Sequence, residues 1–365
     1  MLALANLVTL QSHNYTTFRQ HIYYRAMAVK RAFLIINPIS GTKSKTGLAE
    51  KVFSALRSYN IETDAELTRG AGDASRLAKE AVEKGYDFVI TAGGDGTVNE
   101  AARSLSFTSC ALGIIPMGSG NGLARSLGIP QDIMHALKVI GEGNILTCDR
   151  GIVNDEPFFC TFGVGFDAAV SEKFATMKHR GPVTYIRSAI REFLKYRSEE
   201  YTIEVTGKVI TEKAFLIAVC NAPQYGNNAY IGPKAKLNDG LLDVTVAHSD
   251  SIFHTLLMSM DMFTGTLDKN KAIGSFRVPN LTIMRDSEGP VHLDGEPLNM
   301  GRKLVIDCQK DALKILAPAH QQEFRPYISP IRALLDDMKY DVMDKFRMFQ
   351  AGRNPGKEKN DAENE

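Results

Sequence analysis

The sequence predicts an α/β protein in which a parallel sheet with helices on both faces is followed by a β-sandwich. Three observations carry this. From Arg31 to Ile140, short apolar runs alternate with amphipathic helical stretches, the rhythm of a parallel sheet with crossover helices. From Gly151 onward the rhythm changes to runs rich in β-branched and aromatic residues separated by turns. The chain has 365 residues, 44% hydrophobic and 23% charged, enough for two ordinary globular domains.

Each element follows in order. Arg31–Ile36 (RAFLII) reads as the first strand and ends in the turn Asn37-Pro38-Ile39-Ser40-Gly41. Gly47–Arg57 sets Leu48, Val52, Phe53 and Leu56 at helical spacing. Glu62–Leu67 is a second strand, ending at Thr68-Arg69-Gly70. Asp73–Lys84 is an amphipathic helix with Leu77, Ala78, Ala81 and Val82 inward. Asp87–Ile90 is a short buried strand that runs into Thr91–Ala102, read as TAGGDGTVNEAA. There Gly93, Gly94 and Gly96 surround Asp95, and the pattern turns helical through Val98, Ala101 and Ala102. A second loop of similar chemistry lies in Leu112–Leu127 (LGIIPMGSGNGLARSL), with Gly118, Gly120 and Gly122. Ile133–Ile140 is the last helix of this unit, and Gly141–Asp149 is the passage out.

Beyond it, Pro157–Phe162, Tyr201–Val205, Ala214–Val219, Asp243–Ala247, Arg277–Met284, Leu304–Asp307 and Leu313–Leu316 read as strands. Val183–Tyr196 and Ile252–Phe263 read as helices, as does Pro330–Phe349. Residues past Gly352 are polar and charged, a composition that predicts disorder. There are no internal repeats.

The glycine loops carry the chemistry. Glycine lets backbone come close to a ligand, and the amides of a helix N-terminus attract anions. Open parallel sheets bind ligands at the carboxyl ends of their strands, where all these loops fall. A carboxylate inside such a loop makes sense if a cation or a transferred proton lies between it and the anion. A plain glycine-rich βα turn is the alternative. Two commoner patterns fail. There is no GxxxxGK[ST], and Asn99 and Leu123 stand where a dinucleotide fingerprint needs its third glycine.

Composition narrows the partners. A net charge of +1 does not favour nucleic acid. The five cysteines (Cys110, Cys148, Cys160, Cys220, Cys308) lack CxxC spacing, which argues against a zinc site or disulfide framework and fits a reducing cytoplasm. No apolar run reaches the roughly 18 residues needed to span a bilayer. Leu2–Leu10 is apolar without a preceding basic residue, so a signal peptide is not expected, and Met27 is a candidate start of translation.

Taken together, Asn37-Pro38 to Gly41, GGDGTVNE, PMGSGNGLA, and DGLLDV with DGEP make the chain resemble the diacylglycerol kinase and sphingosine kinase superfamily, above all its bacterial lipid kinases. GGDGT alone is less specific, since NAD kinases and phosphofructokinases share it. The resemblance spans roughly Lys30 to Ala317. It implies a Rossmann-like first domain of the NAD kinase/phosphofructokinase type over residues 29–148 and a lipid-substrate sandwich over 149–310. A return segment to the first domain follows over 311–325, flanked by an N-terminal extension (1–28) and a C-terminal helix and tail (326–365).

The implied activity is transfer of the γ-phosphate of ATP, with Mg²⁺, to a lipid hydroxyl. Phosphoryl transfer asks for positioning and charge neutralisation more than covalent chemistry. The nucleotide residues implied are Asn37, Pro38, Ser40, Gly41, Thr68, Gly93, Gly94, Asp95, Gly96, Thr97, Asn99, Gly118, Ser119 and Gly120. Asp95 would hold Mg²⁺ or orient the acceptor, and Glu296 in His292-Leu-Asp-Gly-Glu-Pro297 matches the family's general base, with Asp294 a weaker candidate. A β-hairpin turn at Asp294-Gly295 is the alternative. Lys236-Leu-Asn-Asp239-Gly-Leu241 resembles a structural magnesium loop, with the Asp239 side chain and the carbonyls of Lys236 and Leu241 as ligands and Asp243 in support. A plain Asp-Gly turn remains open there. Asp167 stands near a point where sphingosine kinases use a carboxylate to bind an ammonium, and a cap on the helix that begins near Ala168 is the favoured alternative.

The expected setting is cytoplasmic, peripheral at the inner membrane surface, with a lipid substrate, no nucleic acid and a homodimer in prospect. The helices from Val183 and Pro330 could lie on a membrane or pack on the protein itself. A soluble NAD kinase-like enzyme and an inactive lipid-binding relative are the competing readings.

Overall fold

A computed structural model describes residues 29–41, 45–175, 196–248 and 252–319. The helix expected over Val183–Tyr196, except Tyr196 itself, falls outside these residues. So do the Pro330–Phe349 helix and the first 28 residues.

The first half alternates as expected: β1 (Lys30–Ile36), α1 (Leu48–Arg57), β2 (Ile61–Leu67), α2 (Asp73–Glu83), β3 (Phe88–Gly93), α3 (Asp95–Leu105), β4 (Ala111–Pro116), α4 (Gly122–Ser126) and α5 (Ile133–Glu142). The strands pair in parallel in the order β2-β1-β3-β4. Strands β3 and β4 are buried along their whole length, as central parallel strands must be when helices cover both faces. One face packs Ile35, Val89 and Leu112 against Leu77, Ala101 and Leu105. The other packs Leu34, Ile90 and Ile115 against Val52, Leu56 and Leu137.

The second half is a sandwich of two sheets. One contains β7 (Thr161–Gly165), β10 (Leu216–Cys220), β11 (Leu242–Ala247), β12 (Ile273–Val278), β14 (Gly289–Leu293) and β15 (Glu296–Met300), in the order β12-β11-β10-β7-β14-β15. The other is not separate. β5 (Ile145–Val153), β6 (Glu156–Phe158), β8 (Glu199–Val205), β9 (Lys208–Ala214), β13 (Asn280–Arg285) and β16 (Lys303–Leu316) continue the parallel sheet. The continuation runs through β16, which pairs parallel to β4 at Ile315 and Leu112 and antiparallel to β5 and β13. Phe158, Tyr201, Ile283 and Ile306 from this sheet meet Phe162, Val219, Val244 and Val291 from the other in one buried core. Helices α6 (Phe166–Ala175) and α7 (Ile252–Thr264) and a short 3-10 turn at Leu267–Lys269 complete the described elements.

Several expected elements are cut differently. The run Arg277–Met284 is two strands, because Pro279 has no amide to donate and the chain there passes from one sheet to the other. Conversely, Leu304–Asp307 and Leu313–Leu316 belong to one strand, β16, interrupted by a register shift between Gln309 and Leu313. Pro157–Phe162 breaks after Phe158, where the next backbone amides turn to a carboxylate described below. The strand β9 was not expected. It is a mostly exposed edge (KVITEKA) in which Val209 and Ile210 are adjacent and both face solvent, without the apolar alternation that marks a half-buried strand.

Candidate active site at the seam between the halves

The loops after β1, β3 and β4 meet at one end of the parallel sheet. Asn37 ties the first two: its backbone N–H donates to the Ala92 carbonyl (3.0 Å) and its Nδ2 to Thr97 Oγ1 (2.9 Å). Its Oδ1 accepts from the Ile39 amide at 3.1 Å, which bends the turn. Pro38 and Ile39 at the tip face solvent, and Ser40 folds its hydroxyl back onto the Asn37 carbonyl. Gly41 (φ +58°) presses on the third loop so closely that any side chain there would collide with the Met117 carbonyl. Thr68, at the end of β2, is buried and donates its N–H to Ile36.

The loops after β3 and β4 touch backbone to backbone. A Cβ on Gly118 would come within 2.7 Å of Gly94 Cα. Asp95, the first residue of α3, spans them. Its Oδ1 accepts from the Gly122 amide at 2.7 Å and its Oδ2 from the Asn121 amide at 2.8 Å. The carboxylate therefore caps the start of α4 from a neighbouring loop. A Cβ on Gly120 would lie 2.8 Å from Asp95 Oδ2, so the bend needs glycine there. Asn121, left-handed at φ +51°, closes the bend by joining its side chain to both the N–H and the carbonyl of Gly118. Ser119 is exposed at the tip.

The sandwich supplies the opposite side. Strands β14 and β15 form a two-residue hairpin in which Asp294 (φ +52°) and Gly295 (φ +86°) are both left-handed, the signature of a type I′ turn. Asp294 is far more than a turn residue. Its Oδ1 accepts from the amides of Cys160 (2.7 Å) and Thr161 (2.9 Å). Its Oδ2 accepts from the Phe159 amide (2.8 Å) and from Asn99 Nδ2 (2.6 Å). Burial raises this carboxyl above its usual range, and the three amides oppose the rise. With four donors facing it, the ionised form is what the site fits.

Because Asn99 lies on α3, Asp294 bolts the hairpin to the helix that begins at Asp95. Glu296 follows two residues later, and its Oε1 would be 2.9 Å from a Cβ placed on Gly96. Its tip reaches solvent, but the surrounding protein strips enough water to raise its carboxyl above the usual glutamate range. The Arg103 guanidinium works against that rise, and Asp294, Glu100 and Asp95 reinforce it.

Sequence reasoning did not single out Asn121, Arg103 or Glu100. Arg103 bonds Asn99 Oδ1 (2.8 Å) and pairs with Glu156 across the seam (2.7 Å). Its spacing of four from Asn99 on one helix was the available signal. Glu100 accepts the amides of Gly72 and Ala74, capping α2. The sandwich loop around Tyr225–Asn228 was missed altogether. It packs on Gly122 and donates the Asn227 amide to the Gly120 carbonyl at 3.2 Å.

Two expected sites stand apart. Asp167 is nearly buried, and its oxygens meet the Ala168 amide (2.8 Å), Tyr225 Oη (2.7 Å) and His292 Nε2 (3.0 Å). Those partners suit an internal anchor. At the other, Lys236 is exposed, while Asp239 accepts the Leu241 amide (3.2 Å) on Oδ1 and the Arg277 guanidinium on Oδ2. A carboxylate already engaged by a guanidinium does not fit a resident divalent cation.

Comparison with known proteins puts this architecture among two-domain kinases. Residues 31–153 match the profile "Diacylglycerol kinase catalytic domain". Residues 160–317 match "YegS C-terminal NAD kinase beta sandwich-like domain". A diacylglycerol kinase of Bacillus subtilis is 30% identical over 275 residues, covering 73% of this chain and 90% of that protein. A protein of Pectobacterium atrosepticum named "Probable lipid kinase YegS-like" is 31% identical over 271 residues, 72% and 89% of the two chains. The solved structure of a diacylglycerol kinase from Bacillus anthracis superposes with a TM-score of 0.63 at 22% identity, over 80% of this chain and 98% of that one, which shows the shared fold. The chain belongs to the diacylglycerol kinase catalytic-domain family.

Proposed function

We propose that this protein transfers the γ-phosphate of ATP to a lipid hydroxyl, with Glu296 as general base. The observation that supports it most is the approach of Glu296 to Gly96, which sets a carboxylate of raised affinity for protons beside the amide-rich start of α3. The triphosphate lies along the loops of Gly93–Thr97 and Gly118–Gly120, whose close backbone and helix starts suit anionic oxygens. Magnesium carried in on the triphosphate would supply charge neutralisation as the phosphoryl group moves. Asp95 shapes this cradle by fastening its two loops together. Glu296 then accepts the alcohol's proton as its oxygen attacks.

The acceptor in this reading is a glycerolipid such as diacylglycerol, taken from the surface of a membrane. The relatives named diacylglycerol kinase favour it, and the engaged state of Asp167 offers little to the ammonium of a sphingoid base. No described helix is long and apolar enough to cross a membrane, and an acceptor presented at the surface requires none. The test is incubation of the protein with labelled ATP and a total lipid extract, followed by identification of the product. Glu296→Gln is expected to lower kcat by about 10²–10⁴. Equal turnover by that variant would remove Glu296 from the mechanism, and a phosphorylated sphingoid base as product would overturn the acceptor assignment.

A further inference from the structure

The Asp239 loop lies outside the proposed phosphoryl-transfer site, and its electrostatics differ from those of a cation-binding loop. Arg277, on β12, sits directly across from Asp243 on β11 in the antiparallel register. Its Nε donates to Asp243 Oδ2 at 2.9 Å, and its Nη2 donates to Asp239 Oδ2. One planar guanidinium therefore joins a strand carboxylate to a loop carboxylate, a geometry that its fork of donors suits and a point charge does not. These two hydrogen bonds hold Arg277 in its charged form, above its usual range. Asp243 is buried, which pushes its carboxyl up, and Arg277 opposes that rise. A second cationic side chain is close by: Lys310, from β16, lies against Gly240 with its amino end near that residue.

The loop is tied further through Asp149, by its carboxylate and its backbone amide. The Gly240 amide donates to Asp149 Oδ2 at 2.6 Å, and the Leu237 carbonyl accepts from the Asp149 amide at 2.6 Å. Asp149 Oδ1 accepts from the Asp311 amide at 2.9 Å, where β16 bulges. The loop is thus clamped to β5 and β16 on one side and to β12 on the other. Among the described residues, no cluster of three or more His, Cys, Asp or Glu side chains could enclose a metal here. A divalent ion on Asp239 would either share Oδ2 with a guanidinium or displace the Leu241 amide from Oδ1, and in both places it would sit near the positive charges of Arg277 and Lys310, which oppose it.

We propose that the Arg277 guanidinium takes the place that a divalent cation holds in related loops, so that this chain fastens Asp239 by an internal ion pair and does not depend on metal there.

The test is thermal unfolding of the nucleotide-free full chain in EDTA and in millimolar Mg²⁺. The wild-type Tm is expected to be the same in both. Arg277→Gln is expected to lower it in EDTA by about 2–5 °C, the shift that loss of a partly buried two-pronged ion pair produces in a chain of this size. Arg277→Lys, which keeps the charge without the fork, should fall between the two and stands in if the first variant does not fold. A wild-type Tm that rises with Mg²⁺ and loses that rise in Asp239→Asn would overturn the proposal. So would an Arg277→Gln protein as stable as wild type in EDTA. A Mg²⁺ response that persists in Asp239→Asn belongs to another site and agrees with the proposal.

Discussion

Asp294→Asn removes one charge and one acceptor while leaving the shape almost untouched, and the structure lets its cost be worked out. The carboxylate faces four donors, two on each oxygen. In asparagine one oxygen becomes an NH₂ group that two of those donors must then oppose. If the NH₂ replaces Oδ1, the amides of Cys160 and Thr161 both lose their acceptor, and a backbone amide cannot turn away. If it replaces Oδ2, Asn99 can flip its amide to accept, but its Oδ1 currently holds Arg103 Nε at 2.8 Å.

The second arrangement is cheaper. It strands the Phe159 amide and frees Arg103 from Asn99. A buried donor left without a partner costs about 1–3 kcal/mol, and the two bonds that remain lose their charge assistance, so the total is about 3 kcal/mol. The hairpin that carries Glu296 would then be tied to α3 only by an uncharged amide–amide bond, so kcat should fall with stability. Urea unfolding and steady-state kinetics check both. A variant within about 0.5 kcal/mol of wild type, the range of an ordinary surface change, with unaltered kcat would refute the reasoning.

Four further outcomes are expected. Gly120→Ala puts a Cβ 2.8 Å from Asp95 Oδ2. It should destabilise by about 1–3 kcal/mol through overpacking and raise KM for ATP, as read by urea unfolding and initial rates. The acid limb of kcat/KM should lie above the usual glutamate range of about 4.3, because the Glu296 carboxyl is raised and must lose its proton before it can act as base. Activity is then present above that limb and lost as pH falls through it. Arg103→Met removes the charge that lowers Glu296, so its limb should move to still higher pH; an unmoved or lowered limb counts against the assignment. Asn37→Ala breaks the bond to Thr97 Oγ1 at a cost of about 1 kcal/mol and should raise KM for ATP more than it lowers kcat.

Much of this molecule was legible from the chain alone. The alternation of apolar strands and amphipathic helices up to Ile140 is local, because each period is read within one element. The glycines of the two loops announced close backbone approaches, and the structure supplies the partners, Gly94 with Gly118 and Gly120 with Asp95. The family motifs singled out Asp95 and Glu296, with Asp294 a weaker candidate, and left a hairpin turn at Asp294-Gly295 as the alternative.

What the tertiary structure alone decided depends on pairs far apart in sequence. Nothing near Asp294 reveals that its oxygens hold three amides of the segment Phe159–Thr161 and a side chain on α3. The cut at Pro279 and the unbroken run of β16 depend on which sheet receives each strand. The role of Asp239 turns on Arg277, a neighbour in space that no spacing rule could supply. Periodicity and turn chemistry are written residue by residue. Charge pairing and the capping of one loop by another exist only once the chain has closed on itself.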